Sequence, residues 1–282
     1  MAVNIQAYYF SPTGTTEKVV RRIADGLANR CGCFEKPHVV NFTDYKERQG
    51  DMPIVIKDSV LIVGVPVYAG RVPNVLLSYL KRFKGENSQV VLIVLYGNRA
   101  YDDALIELRE IFIKVGFTVV GAGAFIGEHA FSKVLAAGRP DAEDCLKADT
   151  LVEQISLNLK NFKSNENRDN ASLLGSIAGE VALRPYYRPL DKDGNPFDFK
   201  TIKPVTLDSC VHCGICAAAC PVQSIDYIDH KTILGKCIKC CACVKRCPTH
   251  AKVFDDPNFI KHKIELECQC VERQEPELFL SF

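Results

Sequence analysis

One spacing constrains this chain more than any other: the run CxxCxxCxxxCP occurs twice. It appears as CVHCGICAAACP, with Cys210, Cys213, Cys216 and Cys220 ahead of Pro221, and as CIKCCACVKRCP, with Cys237, Cys240, Cys243 and Cys247 ahead of Pro248. Cys241 falls outside the pattern. Three thiols in a tight loop and a fourth further along suit a four-thiolate metal centre. Fourteen cysteines in a secreted chain would suggest disulfides, but CxxC spacing points to metal or redox chemistry.

With 282 residues and 47% hydrophobic content, the chain can bury a sizeable core and has room for about two domains. A formal charge of +1 gives no general electrostatic argument for nucleic acid or an anionic membrane, and neither partner is expected. Met1 to Phe10 lacks the basic start and long apolar run of a signal peptide, and no later apolar stretch reaches bilayer length. A cytosolic protein is expected.

Residues 1–162 alternate short apolar runs with segments of helical period. Ile5 to Phe10, Val39 to Phe42, Val60 to Val65, Val90 to Leu95 and Phe117 to Phe125 predict five buried parallel strands. Val20, Ile23 and Leu27 predict one crossover helix. Leu105, Leu108, Phe112 and Val115 predict another, and Ala148, Val152, Ile155 and Leu159 a third. The class is α/β, with a doubly wound sheet. Residues 163–204 turn polar and then pass through RPYYRPL and DKDGNPFDF, which predicts a linker. Residues 205–258 form an internal repeat with few apolar side chains, so this unit needs metal to fold. Residues 259–282 are an extension expected to dock on the body.

The cysteine unit, over roughly residues 205–255, resembles the bacterial two-cluster ferredoxins. That resemblance implies a small α+β domain with two [4Fe-4S] clusters, one on Cys210, Cys213, Cys216 and Cys247, the other on Cys237, Cys240, Cys243 and Cys220. Structural zinc also takes four cysteines, but two complete runs with a terminal Cys-Pro favour iron and sulfide. Cys31, Cys33, Cys145, Cys241, Cys268 and Cys270 have no partner set and read as buried or incidental thiols.

The first strand runs into SPTGTT, where Ser11, Thr13, Gly14, Thr15 and Thr16 lead straight into a helix. Hydroxyls and free amides at a helix N-terminus make a phosphate cradle, although a Thr-capped helix would read the same way. Its place at the carboxyl end of the first strand, beside the expected switch point, favours a ligand. The string resembles the phosphate loop of the flavodoxin family, T/S-x-T-G-x-T. That resemblance implies FMN and the strand order 2-1-3-4-5. It also implies that the loop GVPVYAGRVP, with Pro66, Val67, Tyr68, Ala69, Gly70 and Arg71, and the loop YGNRAYDD, with Tyr96, Gly97, Asn98 and Tyr101, flank the flavin ring. Tyr68 would stack on the ring, and Asn98 with main-chain amides would bond its polar edge. Each tyrosine also reads as a packing residue. GAGAFIG at 121–127 does not match GxGxxG and reads as a closely packed strand. Glu128 and His129 follow it, as neighbours of the flavin or of the second domain.

Taken together, the two parts resemble the flavodoxin-ferredoxin fusion proteins of anaerobic microbes, over nearly the full length. The resemblance implies an electron carrier with FMN, two [4Fe-4S] clusters and an external redox protein as partner, and no catalytic acid or base. The rival is an FMN-dependent reductase of a small molecule, in which Glu128, His129 or Arg71 would have chemical work to do. A third class is a scaffold whose metal only holds the fold.

Overall fold

The computed structural model describes residues 4–162, 182–191 and 193–280, with the side chains of 160–162 excepted. Residues 163–181 and 192 of the expected linker lie outside it. The first unit contains β1 (Asn4–Tyr9), α1 (Thr15–Arg30), β2 (His38–Asn41), β3 (Ile54–Lys57), β4 (Ser59–Pro66), α2 (Leu77–Leu80), β5 (Phe83–Glu86), β6 (Gln89–Tyr96), α3 (Ala104–Lys114), β7 (Thr118–Ile126) and α4 (Ala142–Phe162). The second contains β8 (Val205–Thr206), α5 (Ile215–Ala218), α6 (Ala242–Lys245) and β9 (Lys252–Val253). The chain closes with α7 (Pro257–Gln269) and β10 (Glu277–Leu280). None of the described helices is long and apolar enough to cross a membrane.

The main sheet reads β10-β7-β6-β4-β1-β2. Its five parallel strands, counted in chain order, therefore lie 2-1-3-4-5, and a sixth, antiparallel strand is added at the edge. Continuous apolar runs fit here because both faces are covered. Tyr8, Val63, Leu92 and Val94 pack with Leu105, Leu108 and Phe112 of α3 on one face. Ile5, Ile62 and Ile93 pack with Val20 and Ile23 of α1 and Leu151 and Ile155 of α4 on the other. The expected strands and the three apolar helix faces are all present, within a residue or two at their ends.

GAGAFIG is a strand. A Cβ on Gly121 would stand 2.7 Å from Ile155 Cδ1, so the missing side chain is what lets α4 lie close to β7. The short parallel pair β3 and β5 was not anticipated; four residues each, they carry too little pattern to read.

In the second unit the sequence repeat is also a backbone repeat. Positive φ recurs at equivalent places in the two halves: His212 and Lys239, Gly214 and Cys241, Gln223 and His250. Gly214 and Cys241 precede α5 and α6, at φ 75° and 57°. Cys241 thus occupies the position that glycine fills in the first half, a conformation that costs an L-residue about 1–2 kcal/mol. The buried apolar cluster is small, built on Cys216, Ala217, Ile225 and Cys243.

Residues 257–280 are no loose appendage. Asp256 caps α7, accepting from the amides of Asn258 and Phe259 at 2.9 and 3.2 Å, with Pro257 opening the helix. Phe259 and His262 of α7 form an aromatic cluster with Phe131, after β7, and Phe199 of the linker region. β10 then pairs Glu277 to Leu280 with Ala124 to Gly121 and covers the edge of β7.

Candidate functional site: cysteine cavities and a helix N-terminus

Two cavities open within the cysteine unit. The first is lined by Cys210, Cys213, Cys216 and Cys247, together with His230, Thr249 and Lys252. The second is lined by Cys237, Cys240, Cys243 and Cys220, with Ile225, Ile238 and Phe254 among its walls. Each set draws three cysteines from one run and the last from the other. All fourteen cysteines are free thiols.

Hydrogen bonds to sulfur follow the same internal symmetry. Cys220 Sγ accepts from the Ser224 amide at 3.3 Å, and Cys247 Sγ from the Ala251 amide at 3.2 Å. At Cys247 burial pushes the thiol up, but the amide of Lys252, the Thr249 hydroxyl and further amides outweigh it, and the net direction is down. Burial dominates in the second cavity, where it raises Cys237 and Cys240 and pushes Cys243 up to about 12. Thiols that resist ionising alone become good ligands once a cation shares their cavity, so this donor set fits a metal-sulfur cluster.

Cys241 lines the second cavity as a fifth thiol, 3% exposed. Its backbone role before α6 gives this odd cysteine a structural place. Cys31, Cys33, Cys145, Cys268 and Cys270 line neither cavity.

At the other site, Gly14 caps α1 in the left-handed region at φ 91°, where a side chain is disfavoured. A Cβ there would meet nothing within 4 Å, so open space lies ahead of the helix N-terminus. Ser11 is held by Thr43, whose Oγ1 accepts from the Ser11 amide at 2.6 Å, and Ser11 Oγ accepts from Glu17 N at 3.0 Å. Thr16 is buried, whereas Thr13 and Thr15 keep partial exposure. This end fits a phosphate group.

The expected ring-flanking loops stand at the same edge, at the ends of β4 and β6, but several of their side chains are engaged elsewhere. Asn98 Nδ2 donates to Cys270 O at 2.7 Å and Glu272 O at 2.8 Å, and its Oδ1 accepts from Gln274 N at 3.2 Å. That carboxamide, expected at the ring's polar edge, clamps the segment after α7. Tyr101 Oη donates to Glu277 Oε2 at 2.9 Å, beside the buried Tyr96. Arg71 makes a two-point ion pair with Glu107 at 2.9 and 2.6 Å, and also donates to Arg184 O at 2.7 Å. Pro66 ends β4, and Val67 N donates to Leu95 O at 2.7 Å. Ala69 and Gly70 turn the chain back at positive φ, and Ala69 O accepts from Tyr187 N at 2.9 Å. Gly97 follows β6, against the His129 ring. These committed partners come from distant sequence, so the local strings carried no signal for them.

Tyr68 is placed differently. Burial drives its phenol well above the ordinary value, and the thiols of Cys240, Cys241 and Cys237 add to that rise. It packs on the N-terminal core, as does Ile238 from the second run, which also lines the second cavity. Further contacts hold the units together. Lys245 Nζ pairs with Glu128 and donates to Ser132 O at 3.0 Å, and Arg48 donates to Pro221 O. His129 belongs to this junction, its pKa lowered to about 4 chiefly by burial, with Lys245 next.

Residues 204–226, which include the first cysteine run, match the model of the 4Fe-4S binding domain family. No curated protein matches the chain. Among solved structures, it is similar to a rubredoxin oxygen:oxidoreductase from Desulfovibrio gigas, at 16% identity and TM-score 0.42, over 57% of this chain and 37% of that one. It thus spans little more than a third of that oxidoreductase. A flavodoxin from Streptococcus pneumonia TIGR4 aligns at 17% identity and TM-score 0.39, over 55% of this chain and 99% of its own. Flavodoxin 1 from Bacillus cereus aligns at 16% identity and TM-score 0.39, over 55% and 97%. The chain thus joins an α/β unit whose five parallel strands run 2-1-3-4-5 to a unit that matches the 4Fe-4S binding domain, an arrangement similar to that of flavodoxin-ferredoxin fusions.

Proposed function

We propose that the chain is an electron carrier that holds one FMN and two [4Fe-4S] clusters and exchanges electrons with an external redox protein. The observation that carries this reading is the pair of four-cysteine cavities, each completed by the last cysteine of the other run. Bound FMN supplies exchange of electrons in pairs or singly, and each cubane supplies exchange one at a time. In this reading Cys210, Cys213, Cys216 and Cys247 hold one cluster, and Cys237, Cys240, Cys243 and Cys220 hold the other.

Ser11, Thr13, Gly14, Thr15 and Thr16 receive the FMN phosphate. Tyr68 and backbone groups of Val67 to Gly70 and of Gly97 face its ring, while Arg71, Asn98 and Tyr101 shape the surrounding loops. Tyr68 then has the second cluster on its other side, and its neighbourhood with Cys237, Cys240 and Cys241 supports a short path between the units. Two side chains that a small-molecule reductase would need, Glu128 and Arg71, are held in ion pairs with Lys245 and Glu107, which favours the carrier. The test is stepwise anaerobic reduction with flavin absorbance and cluster EPR followed together. Both signals should respond, a redox protein should be reduced, and no small acceptor should turn over. Rapid turnover of a small acceptor would overturn the carrier reading.

A further inference from the structure

The first cavity contains one side chain that thiolate chemistry leaves unexplained. His230 lies between the two cysteine runs, is 4% exposed, and lines the cavity of Cys210, Cys213, Cys216 and Cys247. Its carbonyl is pinned twice, accepting from Lys252 Nζ at 2.5 Å and Thr206 Oγ1 at 3.1 Å. Its ring is not: neither nitrogen has a hydrogen-bond partner among the described residues. Leaving a buried donor unsatisfied is costly, so an acceptor in the cavity is called for.

The geometry points to sulfur. One His230 ring nitrogen, Cys210 Sγ and a His212 ring nitrogen all lie within 4.8 Å of one another. Nε2 faces the cysteine loop at Gly214, where a Cβ would stand 3.8 Å away. No imidazole lines the second cavity, where Cys237 Sγ accepts only from the main-chain amide of Lys239, at 3.4 Å. Its walls include Pro204, Val222, Ile233 and Phe254, and the hydroxyl of Ser224 is already donating to Lys236 O at 2.6 Å. Lys252, buried in the first cavity, does not distinguish the two sites, because its charge opposes the rise of both the Cys216 and the Cys243 thiols.

We propose that the His230 ring N–H donates to a sulfur of the cluster held by Cys210, Cys213, Cys216 and Cys247, making it the more easily reduced of the two. The inference rests on the two-cluster reading above. One-electron reduction adds negative charge to the cluster, and an N–H aimed at its sulfur stabilises the reduced form more than the oxidised one. An electron arriving through the thiols near Tyr68 would then pass to the site of Cys210, Cys213, Cys216 and Cys247, the donating site being oxidised by one electron as the accepting site is reduced. It therefore rests on the side where Cys213 is exposed. A separate ion on Cys210, His212 and His230 would compete with this arrangement for Cys210.

The experiment uses the full chain with its cofactors, with iron counted first. About eight irons in the wild type establish the underlying reading, and about four refute that reading before the histidine is considered. His230→Leu removes the donor and His230→Gln keeps an N–H. With iron retained, His230→Leu should lower the reduced-to-oxidised ratio of one cluster about tenfold at fixed ambient potential, a shift of about 59 mV for one electron, and leave the other unmoved. His230→Gln should recover much of that shift. Pulsed EPR of the reduced wild type, labelled with 15N-histidine, should show coupling to a ring nitrogen. Unchanged potentials in an iron-replete His230→Leu protein would overturn the proposal. So would the absence of histidine coupling in the wild type, a measurement that stands even where the leucine variant fails to fold.

Discussion

Cys247 and Cys210 line one cavity, although Cys247 closes the cysteine run that begins at Cys237. The two halves of the repeat are thereby interlocked. A cluster in either cavity ties both runs together, which suits a unit with so little apolar core.

Replacing Cys247 by serine should therefore damage the cluster built on Cys210, Cys213 and Cys216, with about four of about eight irons lost. Cys241→Ser should leave the iron content unchanged, because that residue serves the turn before α6. Iron and sulfide analysis of the two variants checks both outcomes. Loss of iron only in Cys241→Ser would reverse the assignment.

At the other cofactor site, Gly14→Val places a side chain where φ is 91° and fills the space ahead of α1. Strain of about 1–2 kcal/mol together with lost phosphate contact should raise the FMN dissociation constant about tenfold or more. Fluorescence titration of the flavin-stripped protein measures this, and iron content should not change.

Asn98→Asp keeps the shape of the clamp but removes the two donors that hold Cys270 O and Glu272 O. Stability should fall by about 1–2 kcal/mol, read as an earlier thermal midpoint, because the buried side chain loses both of its donated hydrogen bonds. FMN binding should change little if the side chain serves only the C-terminal segment.

His129 supplies a pH dependence. Its pKa in the fold is lowered to about 4 by burial, with Lys245, His262 and Arg99 pushing the same way and Glu267 opposing. The unfolded chain takes up a proton near the ordinary value of about 6.5, which the folded chain refuses until near pH 4. Stability from this site is thus complete above about pH 6.5 and is lost as pH falls. Relative to His129→Gln, the wild type should lose about 2 kcal/mol between pH 6.5 and 5, with His262 adding a loss in the same direction to both proteins. Thermal melts of the two proteins across that range decide it. A stability difference that stays constant with pH would contradict the assignment.

Much of this molecule is written in local pattern. Val60 to Val65 and Val90 to Leu95 are apolar throughout because both of their faces are covered, and the spacing of Cys210 to Cys220 carries its chemistry in its loop geometry. What stayed hidden depends on distant partners. Asn98 meets Cys270 and Glu272, and Arg71 meets Glu107, through contacts that no window of sequence contains. β10 is only four residues long, and its strand character comes from the open edge of β7. Nothing in the string around His230 marks it, and only its burial with a ring left without a partner among the described residues singles it out.

The central claim is the cofactor set, and one anaerobic sample tests it directly. Iron, acid-labile sulfide, zinc and flavin are quantified together on purified full-length protein, with its absorption spectrum. The account predicts about eight irons, about eight sulfides and one FMN per chain. Four irons, zinc in place of iron, or a preparation without flavin would contradict it.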